Sequence, residues 1–234
     1  MKVATDAAPH IDDLPTRQRT SFPEIRDETF WAFYERARRY SLVHVTGFYN
    51  VWQSFAYIAA NRIRGHAVEC GCFLGGIAIF MGLARTHFRI EDMQILLFDT
   101  FRGAPAGSTD VVMGVPFVEP CELPSYRETV PANITSELGS TAGYRFVEGL
   151  VEETLPVTPT GDLALLRLDT DFHASTAIEL AVLYPRLVRG GVLIVDDYGM
   201  FEGSRRATDE YLATLLQPPL LNRIDVAVWA GVKP

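Results

Sequence analysis

Cysteine, positive charge and long apolar runs are all scarce in this sequence. Cysteine occurs only three times in 234 residues, at Cys70, Cys72 and Cys121. That number is odd and too small for a disulfide framework, which points to a reducing compartment. No second Cys or His cluster accompanies Cys70-Gly71-Cys72, so the pair completes no zinc site and reads as small residues at a strand end. Lys and Arg number 21 against 29 Asp and Glu, a formal net charge of -8. The charge balance gives no reason to expect binding to nucleic acid or an anionic membrane, both of which want a basic face. The uncharged stretch "CGCFLGGIAIFMGLA" is too short to span a bilayer and is interrupted by glycine. The opening "MKVATDAAPHIDDLP" has no apolar signal core, so a cytoplasmic protein is expected and the Asn133-Ile134-Thr135 sequon is read as chance.

The residues that are present describe one globular domain. Hydrophobic residues make up 48% of the chain, enough for a full core at this length. Residues 1–21 are polar and aperiodic and read as a loose tail before a single domain over 22–234. Phe30, Trp31, Phe33, Tyr34 and Ala37 share one face of an amphipathic helix over 23–40, with acids early and arginines late to match the helix dipole. A second helix is expected to open near Asn50 and end at Gly65, so that 22–65 forms an N-terminal helical pair. Beyond Gly65 short apolar runs alternate with helical patterns, the signature of βαβ units and a mostly parallel sheet. Strands are expected at 66–70, 94–99, 144–149, 163–169 and 191–197, with a closing edge strand or hairpin at 223–229. Helices are expected near 75–87, 174–188 and 204–216. The 103–141 segment is rich in Pro, Gly, Ser and Thr, breaks the alternation, and reads as a lid or substrate loop. The fold class is therefore α/β, doubly wound and Rossmann-like, with helices on both faces of the sheet.

Two features carry chemistry. The first is "VECGCFLGGIAIF", in which Glu69, Gly71, Gly75 and Gly76 mark a turn between a strand and a helix. Glycine there permits a tight turn and close ligand approach at a helix N-terminus. The spacing is not the Gly-x-Gly-x-x-Gly of dinucleotide binding, which argues against a nicotinamide oxidoreductase. An acid followed by such glycines is the usual first motif of class I methyltransferases, whose ligand at the turn is the methionine end of S-adenosylmethionine. Asp99 ends the next strand, where an acid can accept ribose hydroxyls or cap the following turn. Gly149, in "FVEGLVEETLP", completes the candidate cofactor contacts.

The second feature is a set of four carboxylates in "LLRLDTDFHAST" and "VLIVDDYG". In a doubly wound sheet ligands sit beyond the carboxyl ends of the strands. If the two strands are neighbours, Asp169 and Asp171 face Asp196 and Asp197 across one crevice. Bare carboxylates that close raise one another's pKa and need a cation or a shared proton. A hard divalent ion with oxygen ligands, Mg²⁺ first, is the natural occupant; helix capping is the structural alternative.

From about Gly65 to Leu212 the chain resembles the macrocin O-methyltransferase (TylF-type) family, enzymes that methylate sugar hydroxyls on antibiotics. The matching segments are "VECGCFLGG", "LLFDTFRGAP", "FVEGLVEETLP", "LALLRLDTDFHAST", "LYPRLVRGGVLIVDDYG" and "GSRRATDEYL". The resemblance implies a homo-oligomeric (dimeric) Mg²⁺- and S-adenosylmethionine-dependent O-methyltransferase acting on a sugar-like small molecule. It implies Asp169, Asp196 and Asp197 as metal ligands and Asp171 as general base. The chain departs from the family at Leu74, where an Arg is usual, at Thr170, where a glycine is usual, and at His173, where an aromatic is usual. His173 could assist proton transfer or line the pocket. Two other readings stand beside this one: methylation of a catechol or other phenol, and a non-catalytic cofactor-binding protein of the same fold.

Overall fold

At Gly65 the chain turns from helix into sheet with a backbone that only glycine accommodates. Its φ is +141°, and a Cβ there would lie 2.6 Å from the amide nitrogen of Ala164. The computed structural model describes residues 19–234. Most of the expected tail, 1–18, lies outside the described residues, and Arg19–Ser21 form one 3₁₀ turn.

The helices are α1 (Glu28–Ala37), α2 (Val45–Ala60), α3 (Gly76–His87), α4 (Thr129–Leu138), α5 (Val151–Thr154), α6 (His173–Leu183) and α7 (Glu202–Leu212). The strands are β1 (His66–Cys70), β2 (Ile95–Asp99), β3 (Thr109–Val112), β4 (Val115–Val118), β5 (Tyr144–Glu148), β6 (Leu163–Leu168), β7 (Leu187–Val195), β8 (Asn222–Arg223) and β9 (Trp229–Val232). A seven-stranded sheet runs in the order β5-β2-β1-β6-β7-β9-β8. Its first five strands are parallel, while β9 lies antiparallel to both β7 and β8. Strand order reverses between β1 and β6, the place where such sheets open a ligand crevice.

Both faces of the sheet are covered, which is why the strands are apolar throughout rather than alternating. Ala67, Leu97, Leu165 and Ile194 pack toward α1, α2 and α3; Val68, Phe98, Leu166 and Leu193 pack toward α6. Asp27 caps α1 by accepting from the amides of Thr29 and Phe30. Behind it Phe30, Phe48, Phe55 and Phe80 are fully buried. At about 1.5–3 kcal/mol for each such side chain, the N-terminal helices belong to the core rather than decorating it.

Several boundaries differ from the sequence expectation. Helix α2 starts at Val45, five residues before Asn50, because the His44 ring accepts from the amide of Thr46 and serves as the cap. Helix α6 stops at Leu183, and Pro185 lies in a 3₁₀ turn from which β7 begins at Leu187. The 103–141 segment is more ordered than its composition suggests, folding as the β3–β4 hairpin and all of α4. Near the C-terminus the hairpin alternative holds, with β8 and β9 antiparallel and β9 running on to Val232. The Asp225 carboxylate accepts from the amides of Ala227 and Val228 and bends the chain between them.

Candidate active site

The carboxyl ends of β1, β2, β6 and β7 open into one cavity of about 960 Å³. Its floor is the glycine turn after β1. Gly71 takes φ +78°, and a Cβ there would lie 1.9 Å from the carbonyl oxygen of Asp169, so the turn presses against the end of β6. Gly75 adopts a left-handed conformation at the start of α3. A Cβ on Gly76 would meet Ser41 at 2.5 Å, so its hydrogen lets α3 approach the end of α1. Gly71 and Gly149 line the cavity, but Gly75 and Gly76 do not. The latter pair shapes the turn and seats the helix without reaching the open space.

Asp99 also lines the cavity, with most of its bonding capacity directed at the protein. One oxygen accepts from the Cys72 amide at 2.7 Å; the other accepts from the Phe101 amide at 2.7 Å and the Tyr126 hydroxyl at 3.2 Å. Asp99 therefore does cap the turn that follows it, fastening β2 to the glycine turn. A carboxylate offers about four lone-pair sites, so one is left for a ligand. Burial, with the Asp99 charge beside it, pushes the Tyr126 phenol well upward, keeping it a neutral donor.

The acidic cluster holds a feature that the motif reading missed. Asp169, Asp196 and Asp197 each place an oxygen within 4.8 Å of the others. Beneath them lies Arg167, 1% exposed. Its guanidinium bonds Oε1 of Glu69 at 2.7 Å, Oδ2 of Asp169 at 2.7 Å and Oδ1 of Asp196 at 2.6 Å. Glu69 and Arg167 are register partners across β1 and β6, which aligns the pair. The available signal was a lone arginine inside the otherwise apolar "LALLRLD", two residues before Asp169 and so on the same face of the strand.

Asp171 stands just past the end of β6 at φ +70°, with its amide donating to Oδ2 of Asp197 at 3.0 Å. Burial and the neighbouring Asp169 push its carboxyl up to about 7. Asp196 and Asp197 are also raised, chiefly by burial. One guanidinium thus leaves the cluster short of positive charge. His173 begins α6 at the cavity edge, where its Nε2 lies 2.9 Å from Oε2 of Glu210.

The residues fit both expected ligands. Oε2 of Glu69 is buried with no hydrogen-bond partner among the described residues, while Oε1 holds Arg167. An acceptor beside the glycine turn suits the ammonium of a methionine moiety. For a metal, the donor set is all carboxylate oxygen, the chemistry of Mg²⁺ or Ca²⁺ rather than a softer ion.

The comparisons decide the family. The model of the macrocin O-methyltransferase (TylF) family matches residues 36–230. The chain belongs to the macrocin O-methyltransferase family. It is 31% identical over 210 residues to demethyldecarbamoylnovobiocin O-methyltransferase of Streptomyces niveus, covering 87% of this chain and 78% of that protein. It is 31% identical over 157 residues to mycinamicin III 3''-O-methyltransferase of Micromonospora griseorubida, covering 64% of this chain and 61% of that one. Among solved structures, the O-methyltransferase NovP is similar with a TM-score of 0.73 and 28% identity, covering 83% and 82% of the two chains. As a member of this family the chain is an O-methyltransferase, and the doubly wound sheet is the class I methyltransferase fold. Among the described residues no helix is long and apolar enough to cross a membrane.

Proposed function

We propose that this cavity transfers the methyl group of S-adenosylmethionine to a sugar hydroxyl on a glycosylated small molecule, with Mg²⁺ as the resident ion. The observation that carries the reading is the meeting, in one cavity, of the glycine turn with Glu69 and of the four carboxylates from β6 and β7. Gly71, Gly149, Glu69 and the remaining capacity of Asp99 hold the cofactor, and Gly75 and Gly76 shape the turn that presents it. Asp169, Asp196 and Asp197 hold the ion. When bound, Mg²⁺ supplies the positive charge that makes a nearby alcohol more acidic.

Asp171 is the general base. In the transfer the acceptor oxygen forms a bond to the methyl carbon as the carbon–sulfur bond breaks. The hydroxyl proton passes to the Asp171 carboxylate, leaving a methyl ether and S-adenosylhomocysteine. Hydrogen-bond reach, about 2.6–3.2 Å, is the geometric requirement on that carboxylate. Its upward shift toward neutrality makes it a better proton acceptor than an exposed aspartate. His173, tied to Glu210, shapes the acceptor edge.

Charge supports a neutral acceptor. Eight carboxylates line the cavity against the single guanidinium of Arg167, which is already committed to three of them. Among the described residues lining the cavity, a phosphate-bearing sugar would find no Lys and no second Arg to receive it, whereas a glycoside carries no such charge. The names of the relatives agree, being methyltransferases of a novobiocin precursor and of mycinamicin III. The free cysteines suit a cytoplasmic enzyme, and a homodimer belongs to the same reading through the family.

The test is transfer of labelled methyl to a panel of neutral glycosides, sugar nucleotides and catechols, with and without Mg²⁺. Magnesium-dependent labelling of glycosides is expected. Labelling confined to catechols would redirect the assignment to phenols, and cofactor binding with no product from any acceptor would make the chain a non-catalytic member.

A further inference from the structure

Glu179 has no part in the chemistry described so far, yet it is a fully buried carboxyl on α6. The surrounding core is apolar, with Leu180 and Leu183 of the same helix packed against Val68, Leu166 and Val195 of the sheet. A carboxyl in such a place is costly unless it is bonded. Its Oε1 accepts from the hydroxyl of Thr170 at 2.8 Å, the Cys70 thiol lies beside the carboxyl, and Oε2 has no hydrogen-bond partner among the described residues. Thr170 is the residue between Asp169 and Asp171. Its hydroxyl is the group of the turn that reaches Glu179.

We propose that Glu179 is a positioning residue that, through the hydroxyl of Thr170, fixes the turn presenting Asp171 to the acceptor. The inference rests on the reading of Asp171 as general base. Asp171 adopts φ +70°, a conformation that costs an L-residue about 1–2 kcal/mol and persists only when the surroundings over-determine it. Three hydrogen bonds to the backbone of Thr170 and Asp171 also act on the turn. The Phe172 amide donates to the Thr170 carbonyl at 2.8 Å, the Ser175 hydroxyl to the same carbonyl at 3.3 Å, and the Asp171 amide to Asp197 at 3.0 Å. Two of these fasten the backbone to the start of α6, and the third fastens it to β7's end. Among the described residues, only the Thr170–Glu179 bond ties a side chain of the turn to the interior of α6. Glu179 lies outside the cavity wall, so it acts through Thr170 and not on the substrate.

Steady-state kinetics on Thr170→Val, Glu179→Leu, Glu179→Gln and the Thr170→Val/Glu179→Leu double variant, with Asp171→Asn alongside, test the idea. Misplacement of a reacting group by about 1 Å can cost about a hundredfold in rate. Thr170→Val and Glu179→Leu are expected to lower kcat about ten- to a hundredfold, with both KM values and the cofactor Kd within about threefold. Glu179→Gln retains an oxygen that can accept from Thr170 and should stay within about threefold of the parent kcat. The double variant should be no slower than the slower single variant, because the two groups act as one unit. If Asp171→Asn is inactive while Thr170→Val turns over normally, the positioning role is overturned and the base stands. If Asp171→Asn turns over normally, the base falls and the positioning role with it. Should Glu179→Leu fail to fold, Thr170→Val and Glu179→Gln decide alone: a parent-like kcat in Thr170→Val, or a loss found only in KM, overturns the inference.

Discussion

Arg167 and Glu69 face each other across the central pair of parallel strands, guanidinium to carboxylate at 2.7 Å, both about 1% exposed. This pair joins the two halves of the site, because Glu69 opens the glycine turn and the same guanidinium reaches Asp169 and Asp196 in the acidic cluster. Replacing Arg167 by Met should leave three carboxylates facing one another without their internal cation. Breaking a buried ion pair from one side costs about 3–5 kcal/mol, and denaturant unfolding should show a loss of that size. A stability unchanged from the parent would mean that the carboxylates are neutral in the folded protein and do not need the arginine.

Asp171→Asn removes the proposed proton acceptor while keeping the shape of the side chain. A positioned general base contributes about 10²–10⁴ in rate. Turnover should fall by that factor, while calorimetric affinity for S-adenosylmethionine stays within about threefold.

Removal of divalent ions should stop methyl transfer, and added Mg²⁺ should restore it. Asp196→Asn is expected to weaken Mg²⁺ binding measured by titration calorimetry, independently of any turnover. Full activity in excess chelator would exclude the ion from the reaction.

Gly71→Ala and Gly107→Ala separate steric conflict from backbone strain. Both glycines have positive φ, +78° and +84°, but a Cβ at Gly107 meets nothing within 4 Å whereas one at Gly71 would lie 1.9 Å from the Asp169 carbonyl. Gly107→Ala should cost about 1–2 kcal/mol from its conformation alone. Gly71→Ala should cost clearly more in urea unfolding and should also abolish cofactor binding.

Asp225→Ala should act on the acceptor side. Besides two amides, its carboxylate accepts from the Thr46 hydroxyl at 2.6 Å, joining the 225–228 loop to α2 across the cavity wall. Each such bond to a charged group is worth about 1.5–3 kcal/mol. The KM for the acceptor is expected to rise severalfold and that for the cofactor much less, as initial-rate kinetics would show.

The sheet was readable because its strands are short, apolar and regularly spaced, so β1, β2, β5, β6 and β7 lie close to their expected positions. Boundaries set by single side chains were not readable. His44 starts α2 and Asp225 sets the turn of the last hairpin, yet neither interrupts an apolar pattern. The β3–β4 hairpin escaped notice because its exposed Met113, Val115 and Val118 give no alternation of buried and solvated positions. It is fixed instead by distant contacts such as the Gly203 amide donating to Asp110 at 2.9 Å.

The sequence by itself determined the doubly wound class, the glycine turn and the carboxylates after β6 and β7, since apolar periodicity and motif spacing are local properties of the chain. Only the tertiary structure decided what those carboxylates face. Arg167 between Glu69 and Asp196, and Asp99 bonded to the amide of Cys72, are long-range pairings. Such pairings depend on strand order and register, which bring together residues far apart in the chain and leave no periodic trace in it.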